Sequence, residues 1–443
     1  MTRISSLREK PLCQPSRRLS EWINPESERK VHSLIDKVYH PTNLKLAWSR
    51  VLENEGSGGV DRVTLAEFGG RLQEELEQLG AELKGGSYQP APARRVYIPK
   101  PGQSDKKRPL GIPTIRDRVC QQAVLNRLAP IFEPDMDDAN FGYRVGRSTK
   151  HALTKVWREI QQGNEWIVDA DLTDFFGTVD HDRLMTLVAR RVADGRVLSL
   201  IRQFLEAGYA EQGQFHPTRQ GTPQGGVISP LLSNILLTPF DHEMRRRGYQ
   251  LTRYADDWLV TCRTRREAER VLREATGILR ALGVVINPDK TRIAHVKAGF
   301  TFLGFKIKQG TTPLRLRPDR IVSGVREHSL YAIPAEKSVQ RFKDNVRRLT
   351  RRRAPLDEEE IVKQLNPLIR GWGNHYSKAN VRKLFHRLDG WIIHRIRSHR
   401  YKRWRNAGWR TLPTAKLRGE YGLISLVSLI PSIRSSRQPR AST

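Results

Sequence analysis

Cysteine is scarce and scattered in this 443-residue chain, which holds only Cys13, Cys120 and Cys262. Three thiols, odd in number and far apart, exclude a disulfide framework and a CxxC-type zinc site, and they fit a reducing cytosol. Long apolar runs are missing as well: none comes near the roughly 20 residues needed to span a bilayer. Acidic residues are in deficit, with 47 Asp and Glu against 78 Lys and Arg, a balance of +31 spread along nearly the whole length. Such a surplus calls for a polyanionic partner, and the aromatic residues interleaved with it favour nucleic acid over anionic lipid. Before residue 20 the chain carries Arg3, Arg8, Lys10, Arg17 and Arg18 without an apolar stretch, which excludes a secretory signal. That composition suits either an organellar transit peptide or a basic arm lying on RNA, and we take the second.

What the chain does have is enough hydrophobic residues, 38%, to give two or three units a core each. From Glu28 to about Leu83 the apolar spacing is helical, with one stripe of Leu44, Trp48, Val51 and Leu52 and another of Leu65, Phe68, Leu72, Leu76 and Leu79. From about Arg94 to Lys308 short strands and helices are expected. The strands are Arg95–Pro99, Trp166–Leu172, Gln250–Tyr254, Trp258–Cys262 and Phe300–Lys308; the helices include Arg118–Phe132, Asp182–Ala193 and Arg265–Leu282. An α+β domain with a sheet backed by helices follows. After Pro334 helical stripes return, Val339, Phe342, Val346 and Leu349, then Val381, Leu384, Phe385, Leu388, Trp391 and Ile392. Between Val325 and Arg410 there are 22 Lys and Arg and 8 Asp and Glu, so this helical stretch supplies +14 of the +31.

The segment Tyr254-Ala255-Asp256-Asp257 sets two adjacent carboxylates between two apolar strands, the tip of a hairpin. A solvated polar turn is one reading. A site for a divalent cation is the other, since hard oxygen ligands suit magnesium and the cation neutralises the repulsion. Upstream, Trp166 to Leu172 is a second acidic strand, whose two-residue period turns Trp166, Val168, Ala170 and Leu172 one way and Asp169 and Asp171 the other. With this strand beside the hairpin, Asp171 would join Asp256 and Asp257 as catalytic ligands of two magnesium ions, with Asp169 a same-face neighbour. Two ions roughly 3.5 to 4 Å apart can activate a 3′-hydroxyl and stabilise a leaving pyrophosphate.

These pieces occur in an order that resembles the reverse transcriptases, and among them the group II intron-encoded type. The matching segments are the Asp171 strand with Phe175-Phe176, Gln220 to Gly226, Tyr254 to Asp257, Arg108 to Thr114, Phe141 to Arg147, Asn287 to Lys290 and Phe302 to Phe305, within about residues 45 to 405. The resemblance implies a right-hand polymerase, with fingers and palm built on an antiparallel sheet backed by helices and followed by an α-helical thumb. On this basis residues 1–40 are a basic arm, 41–93 a helical extension of the fingers, 94–310 fingers and palm, 325–405 the thumb or maturase (X) domain, and 406–443 a short basic tail.

It also implies roles. Phe176 would sit under the incoming sugar and exclude a 2′-hydroxyl, with an ordinary core phenylalanine as the alternative. Gln224, in a Pro-Gln-Gly-Gly turn, would contact the ribose. After that turn Ser229-Pro230 reads as a helix cap followed by proline at the first helical position. Lys100 and Arg108 flank a hairpin-like loop that would close over the triphosphate, with Lys106 and Lys107 as rival cations. Lys290 would lie near the leaving pyrophosphate as a general acid, or be a surface lysine. Arg144 and Arg147 suit bidentate phosphate contacts on the template, or structural ion pairs. Gly58 to Asp61 resembles an early loop lying over the template, although Arg62 stands where many relatives have glycine. Leu365 to Tyr376 resembles the maturase hallmark, in which Arg370, Trp372 and Tyr376 are candidate RNA contacts or, for the aromatics, core.

Two departures matter. Gly177 stands where many relatives have aspartate after the two phenylalanines, leaving Asp174 or Asp180 to take any role of that carboxylate. No Cys pairs or His/Asn cluster follow Arg410, so an HNH-type endonuclease is not expected and priming would come from elsewhere, a nascent strand at a replication fork being one source. The reading is an RNA-directed DNA polymerase of a mobile group II intron that also assists splicing. Its partners are the intron RNA, an RNA template with a DNA primer, deoxynucleoside triphosphates and target DNA, without a membrane. The expected location is the bacterial cytoplasm at the nucleoid, with an organelle as the second choice. The alternatives are a splicing factor without polymerase activity and a domesticated enzyme of repair or phage defence.

Overall fold

The computed structural model describes residues 30–100, 103–311, 328–402 and 409–431. The described residues fall into two compact units, one within residues 30–100 and 105–293 and the other within 294–431. Most of the expected basic arm, up to residue 29, and the loop residues Pro101 and Gly102 lie outside the described residues.

In the first unit helices Pro41–Glu53, Leu65–Gly70 and Leu72–Gly85 bury most of the two predicted stripes, Leu44, Trp48, Val51, Phe68, Leu76 and Leu79, with Leu65 and Leu72 half-buried and Leu52 left exposed; Trp48 stacks on Phe68 with ring centroids 5.1 Å apart. Thr64 and Glu67 form a reciprocal capping box that starts the middle helix. Two strands follow, β1 (Ala93–Lys100) and β2 (Gln103–Ile112). The acidic strand, β3 (Trp166–Ala170), belongs to another sheet; β1 and β2 are completed by β4 (Tyr209–Glu211) and β5 (Gln214–His216) in the order β2-β1-β4-β5.

The sheet of β3 also holds β6 (Gln250–Tyr254), β7 (Asp257–Cys262) and β8 (Arg292–His295), in the order β6-β7-β3-β8. Both β6 and β3 run antiparallel to β7, with Tyr254 opposite Asp257 and Ala170 opposite Trp258. Helix Arg265–Ala281 packs on β3 and β7, Thr149–Gln161 on β6 and β7, and Ser229–Arg246 on β6. Helices on the sheet explain why the middles of β6 and β7 are buried throughout and why Trp258, buried, meets Phe240 edge-on at 5.4 Å. Ser229 does not cap its helix as its position before Pro230 suggests; Ile228 holds that place, and the Ser229 hydroxyl turns back to the Pro223 carbonyl at 3.0 Å.

The second unit opens on a three-stranded sheet, β9 (Phe300–Phe302), β10 (Phe305–Thr311) and β11 (His328–Pro334), in the order β11-β10-β9. The sequence predicts a single strand over Phe300–Lys308. Leu303 and Gly304 instead take φ of 48° and 81° and fold it into a hairpin, the two left-handed residues that a tight two-residue turn requires. This sheet groups with the helices because Phe305 packs on His375 and Tyr376, so the break between units falls ahead of the expected boundary at 310. Three helices follow, Glu336–Leu349, Glu358–Tyr376 and Arg382–Tyr401. Beyond them residues 409–431 are packed on the bundle, with Leu412, Leu417, Leu423 and Leu426 buried. Asp389 accepts from the Ser425 hydroxyl at 2.6 Å and the Leu426 amide at 2.8 Å, and Asn366 pairs with the backbone of Gly422 and Ile424. Among the described residues no helix is long and apolar enough to cross a membrane.

Candidate active site

The two-residue turn between β6 and β7 is where the sequence places its adjacent carboxylates. Ala255 enters it with φ of 60°, a left-handed conformation that costs an alanine about 1 to 2 kcal/mol. The surroundings impose it. A Cβ on Gly142 would run into the Ala255 backbone nitrogen, so glycine is required where the chain passes behind the turn. Arg253, fully buried, bonds Asp241 through two nitrogens at 2.7 and 2.6 Å and donates to the Ala255 carbonyl at 3.0 Å.

Beside this hairpin, β3 keeps the predicted alternation. Val168 and Ala170 are buried while Asp169 and Asp171 meet cations: Asp169 accepts from Arg292 at 3.2 Å, and Asp171 accepts from the Lys290 ammonium. The carboxylates act on one another. Burial, then the charges of Asp256, Asp171 and Asp169, push Asp257 up to about 7, although the residue stays exposed at the end of its strand. Burial and Asp171 likewise raise Asp256. The bond to Asp171 in turn holds Lys290 above the usual lysine value. Among the described residues no three His, Cys, Asp or Glu side chains are drawn together as a ready ligand shell. Oxygen-only side chains, of which Asp256 and Asp257 have a raised proton affinity, are nevertheless the donor set that a hard divalent cation relieves, so Asp171, Asp256 and Asp257 are the residues that could hold such an ion.

Phe176 and Gln224 line one cavity of about 350 Å³, together with Asp174, Arg95, Tyr209 and Arg219. The backbone brings them there: Thr222 donates to the Phe176 carbonyl at 2.7 Å, Gly221 to Val179 at 2.7 Å, and Gly111 to the Gln224 carbonyl at 2.7 Å. Phe175 is buried and Phe176 half-buried, which separates the core ring from the ring at the cavity. The Thr222 hydroxyl and the Arg95 Nε, on two residues that line this cavity, are buried without a hydrogen-bond partner within the protein. Asp174 lies where a side chain at position 177 would go, since a Cβ on Gly177 would strike its carboxylate. Asp180 is engaged in capping the next helix, accepting from the Arg183 amide at 2.9 Å.

The remaining candidates fall on both sides of their readings. Arg108 is exposed, and its charge opposes that of Asp256 at the Tyr143 hydroxyl; the side chains of Lys100 and Lys106 lie outside the described residues. Tyr143 is a residue that sequence reasoning passed over. It is 53% exposed, has φ of 57°, and its hydroxyl is raised by burial and then by Asp256; a positive φ leaves no signature in a non-glycine residue. The Arg144 side chain is only 5% exposed and braces Glu133 at 2.8 Å and the carbonyls of Asp137 and Asn140, the ion-pair reading in place of a free phosphate contact. Arg147 pairs with Asp138 at 2.5 Å and lies 5.3 Å from the Phe141 ring centroid. In the helical unit Arg370 is exposed. Trp372 stacks on Phe342 at 4.5 Å and bonds Ser338, and Tyr376 is buried with its hydroxyl on Ser338 and Gly304, so both aromatics take the core reading and not that of RNA contacts. In the early loop Arg62 has φ of 59°, a left-handed conformation.

A family model described as reverse transcriptase (RNA-dependent DNA polymerase) matches residues 98–307, and one described as the group II intron maturase-specific domain matches 339–416. Protein YkfC of Escherichia coli is 35% identical over 337 residues, 67% of this chain and 88% of that protein. The group II intron-encoded protein LtrA of Lactococcus lactis is 36% identical over 234 residues, 52% of this chain and 38% of LtrA. A putative COX1/OXI3 intron 1 protein of Saccharomyces cerevisiae is 27% identical over 351 residues, 67% of this chain and 41% of that protein. The chain thus spans most of YkfC and less than half of the other two.

Proposed function

The chain belongs to the group II intron-encoded reverse transcriptases, RNA-directed DNA polymerases that carry a maturase-specific domain, and we propose on that premise that it copies its intron RNA into DNA and assists that RNA in splicing. The observation that carries the polymerase half is the pairing of β3 with β7, the strand that begins at Asp257. In this reading the first unit is fingers and palm and the helices after Pro334 are the thumb. Asp171, Asp256 and Asp257 would hold two magnesium ions, which when bound activate the primer 3′-hydroxyl and stabilise the leaving pyrophosphate.

The chain's own residues do the rest. Phe176 blocks a 2′-hydroxyl and Gln224 orients the ribose, a division supported by the cavity they share. Arg108, with Lys100 as its expected partner across the loop, neutralises the triphosphate. Lys290, bonded to Asp171, serves as proton donor to the leaving phosphate. Arg147 on the template side and Arg370 on the helical unit carry backbone contacts. Intron RNA, a primed RNA template, deoxynucleoside triphosphates and target DNA are the partners that follow, and the bacterial cytoplasm at the nucleoid is the place of action.

Primer extension on an RNA template with magnesium tests this. The protein should incorporate deoxynucleotides, Asp256→Asn should lower incorporation by about 1,000-fold or more, and splicing of its intron RNA at low magnesium should be accelerated. Intact incorporation by Asp256→Asn sinks the polymerase assignment. Unaccelerated splicing leaves a polymerase without maturase activity.

A further inference from the structure

Arg253 and Asp241 form an ion pair with both side chains wholly out of solvent. Taking two charges out of water is costly, and apolar residues of the same volume often serve stability as well or better. The pair therefore calls for a reason other than stability, and its remaining bonds supply one. The Arg253 Nη1 donates to the Asn234 Oδ1 at 3.1 Å and to the Ala255 carbonyl at 3.0 Å. Asn234 in turn donates to the Gly142 carbonyl at 2.9 Å, and Gly142 is the residue that abuts Ala255. The Arg253 backbone is held at its amide and its carbonyl by the one segment 139–141, donating to the Ala139 carbonyl and accepting from the Phe141 amide, each at 2.8 Å.

The Ala255 carbonyl belongs to the central peptide of the two-residue turn, the peptide that leads into Asp256. In a tight turn the central peptide is the plane whose rotation converts one turn type into another while the strand ends stay put. Fixing that carbonyl fixes the direction in which Asp256 leaves the turn. We propose that the buried Arg253–Asp241 pair is a positioning device that locks the Ala255–Asp256 peptide and so aims the Asp256 and Asp257 carboxylates. Asp241 orients the guanidinium fork from the helix Ser229–Arg246, and the fork holds the turn; neither residue touches substrate. The inference rests on the reading of Asp256 and Asp257 as metal ligands.

The test pairs Arg253→Met with Asp241→Leu in one protein, a neutral replacement of similar volume, and adds Arg253→Lys alone, which keeps the charge but loses the planar fork. Three quantities are measured: thermal midpoint, primer-extension kcat and KM for deoxynucleotide, and Mn²⁺ affinity by electron paramagnetic resonance without substrate. The double variant should melt near the wild type, with kcat down about 100-fold, KM within about threefold and Mn²⁺ binding weakened about tenfold. Arg253→Lys should show the same split at about a tenth of the kcat loss, and it decides the matter if the double variant fails to fold. A folded variant with wild-type kcat and Mn²⁺ affinity overturns the proposal, as does activity that falls only in proportion to the folded fraction. A wild-type protein that neither extends primers nor binds Mn²⁺ removes the functional reading itself, which separates the two failures.

Discussion

Asp256 and Asp257 stand at a turn that leaves the sheet, whereas Trp372 and Tyr376, members of an equally dense motif in the helical unit, are packed among Phe342, Phe385 and Phe305. Both segments resemble family hallmarks, yet only one displays its hallmark side chains at a site. Charge accounts for the difference. Adjacent carboxylates cannot be buried without a cation, so their sequence position already implies an open place for a ligand. An aromatic ring is at home in a ligand contact or in a core, and its motif membership does not say which. Arginine lies between: Arg370 reaches solvent, while Arg144, with five donors on a long stem, is used up on Glu133 and two backbone carbonyls.

The sharpest way to break this comparison acts behind the turn. Gly142→Ala places a methyl against the Ala255 nitrogen, a backbone contact that no rotamer change relieves. Loss of about 3 kcal/mol of stability is expected, together with loss of primer extension in the fraction that remains folded. Urea denaturation and single-turnover extension measure the two. A stable, active Gly142→Ala protein would mean that the turn tolerates another conformation.

In the helical unit the same logic predicts opposite outcomes for two neighbours. Trp372→Ala removes a ring stacked on Phe342 and tilted against Tyr376 and Phe385, so it should cost about 3 kcal/mol in denaturant unfolding. Arg370→Ala should stay within about 0.5 kcal/mol of the parent while lowering the salt slope of RNA binding by about 1. Filter binding at several salt concentrations supplies the second number. Should Trp372→Ala instead leave stability intact and abolish RNA binding, the ring is a contact and the comparison fails.

The legibility of the sequence follows the same divide. The alternation of Asp169 and Asp171 against Val168 and Ala170, and the hairpin at Ala255-Asp256, were readable because a two-residue period and a charge doublet have few ways to fold. The turn at Leu303-Gly304 was hidden, since leucine at positive φ has no sequence mark and the flanking residues are uniformly strand-like. The partners of Arg253 were hidden for another reason: Asp241 is twelve residues away on a helix, and nothing local couples them. Residues 409–431 fall in the stretch that reads as a short basic tail because its five leucines, Leu412 to Leu429, show no regular period, and only the bundle surface reveals what Leu412, Leu417, Leu423 and Leu426 cover.

That tail gives a smaller effect. Asp389 accepts the Ser425 hydroxyl and the amides of Leu426 and Val427, so Asp389→Ala leaves buried donors unpaired and should cost about 2 kcal/mol. Hydrogen exchange should accelerate at Leu423 to Leu429 ahead of the helices beneath. Uniform acceleration across the unit would show instead that the segment is inseparable from the bundle.

The smallest effect lies in the early loop. Arg62 sits at φ of 59° and donates its amide to the Gly59 carbonyl at 3.3 Å, while Gly59 is pressed against the Thr114 backbone, where a Cβ would come within 2.6 Å. The left-handed residue is thus held by a neighbour that has no room to move. Arg62→Gly relieves the backbone strain of roughly 1 to 2 kcal/mol and loses about 0.5 to 1 kcal/mol through the freer unfolded chain. A net gain of about 0.5 to 1 kcal/mol in urea is expected. Arg62→Ala supplies the control, because it removes the charge and keeps the strain: a gain shared by both variants would assign the cost to the arginine side chain and not to the left-handed backbone.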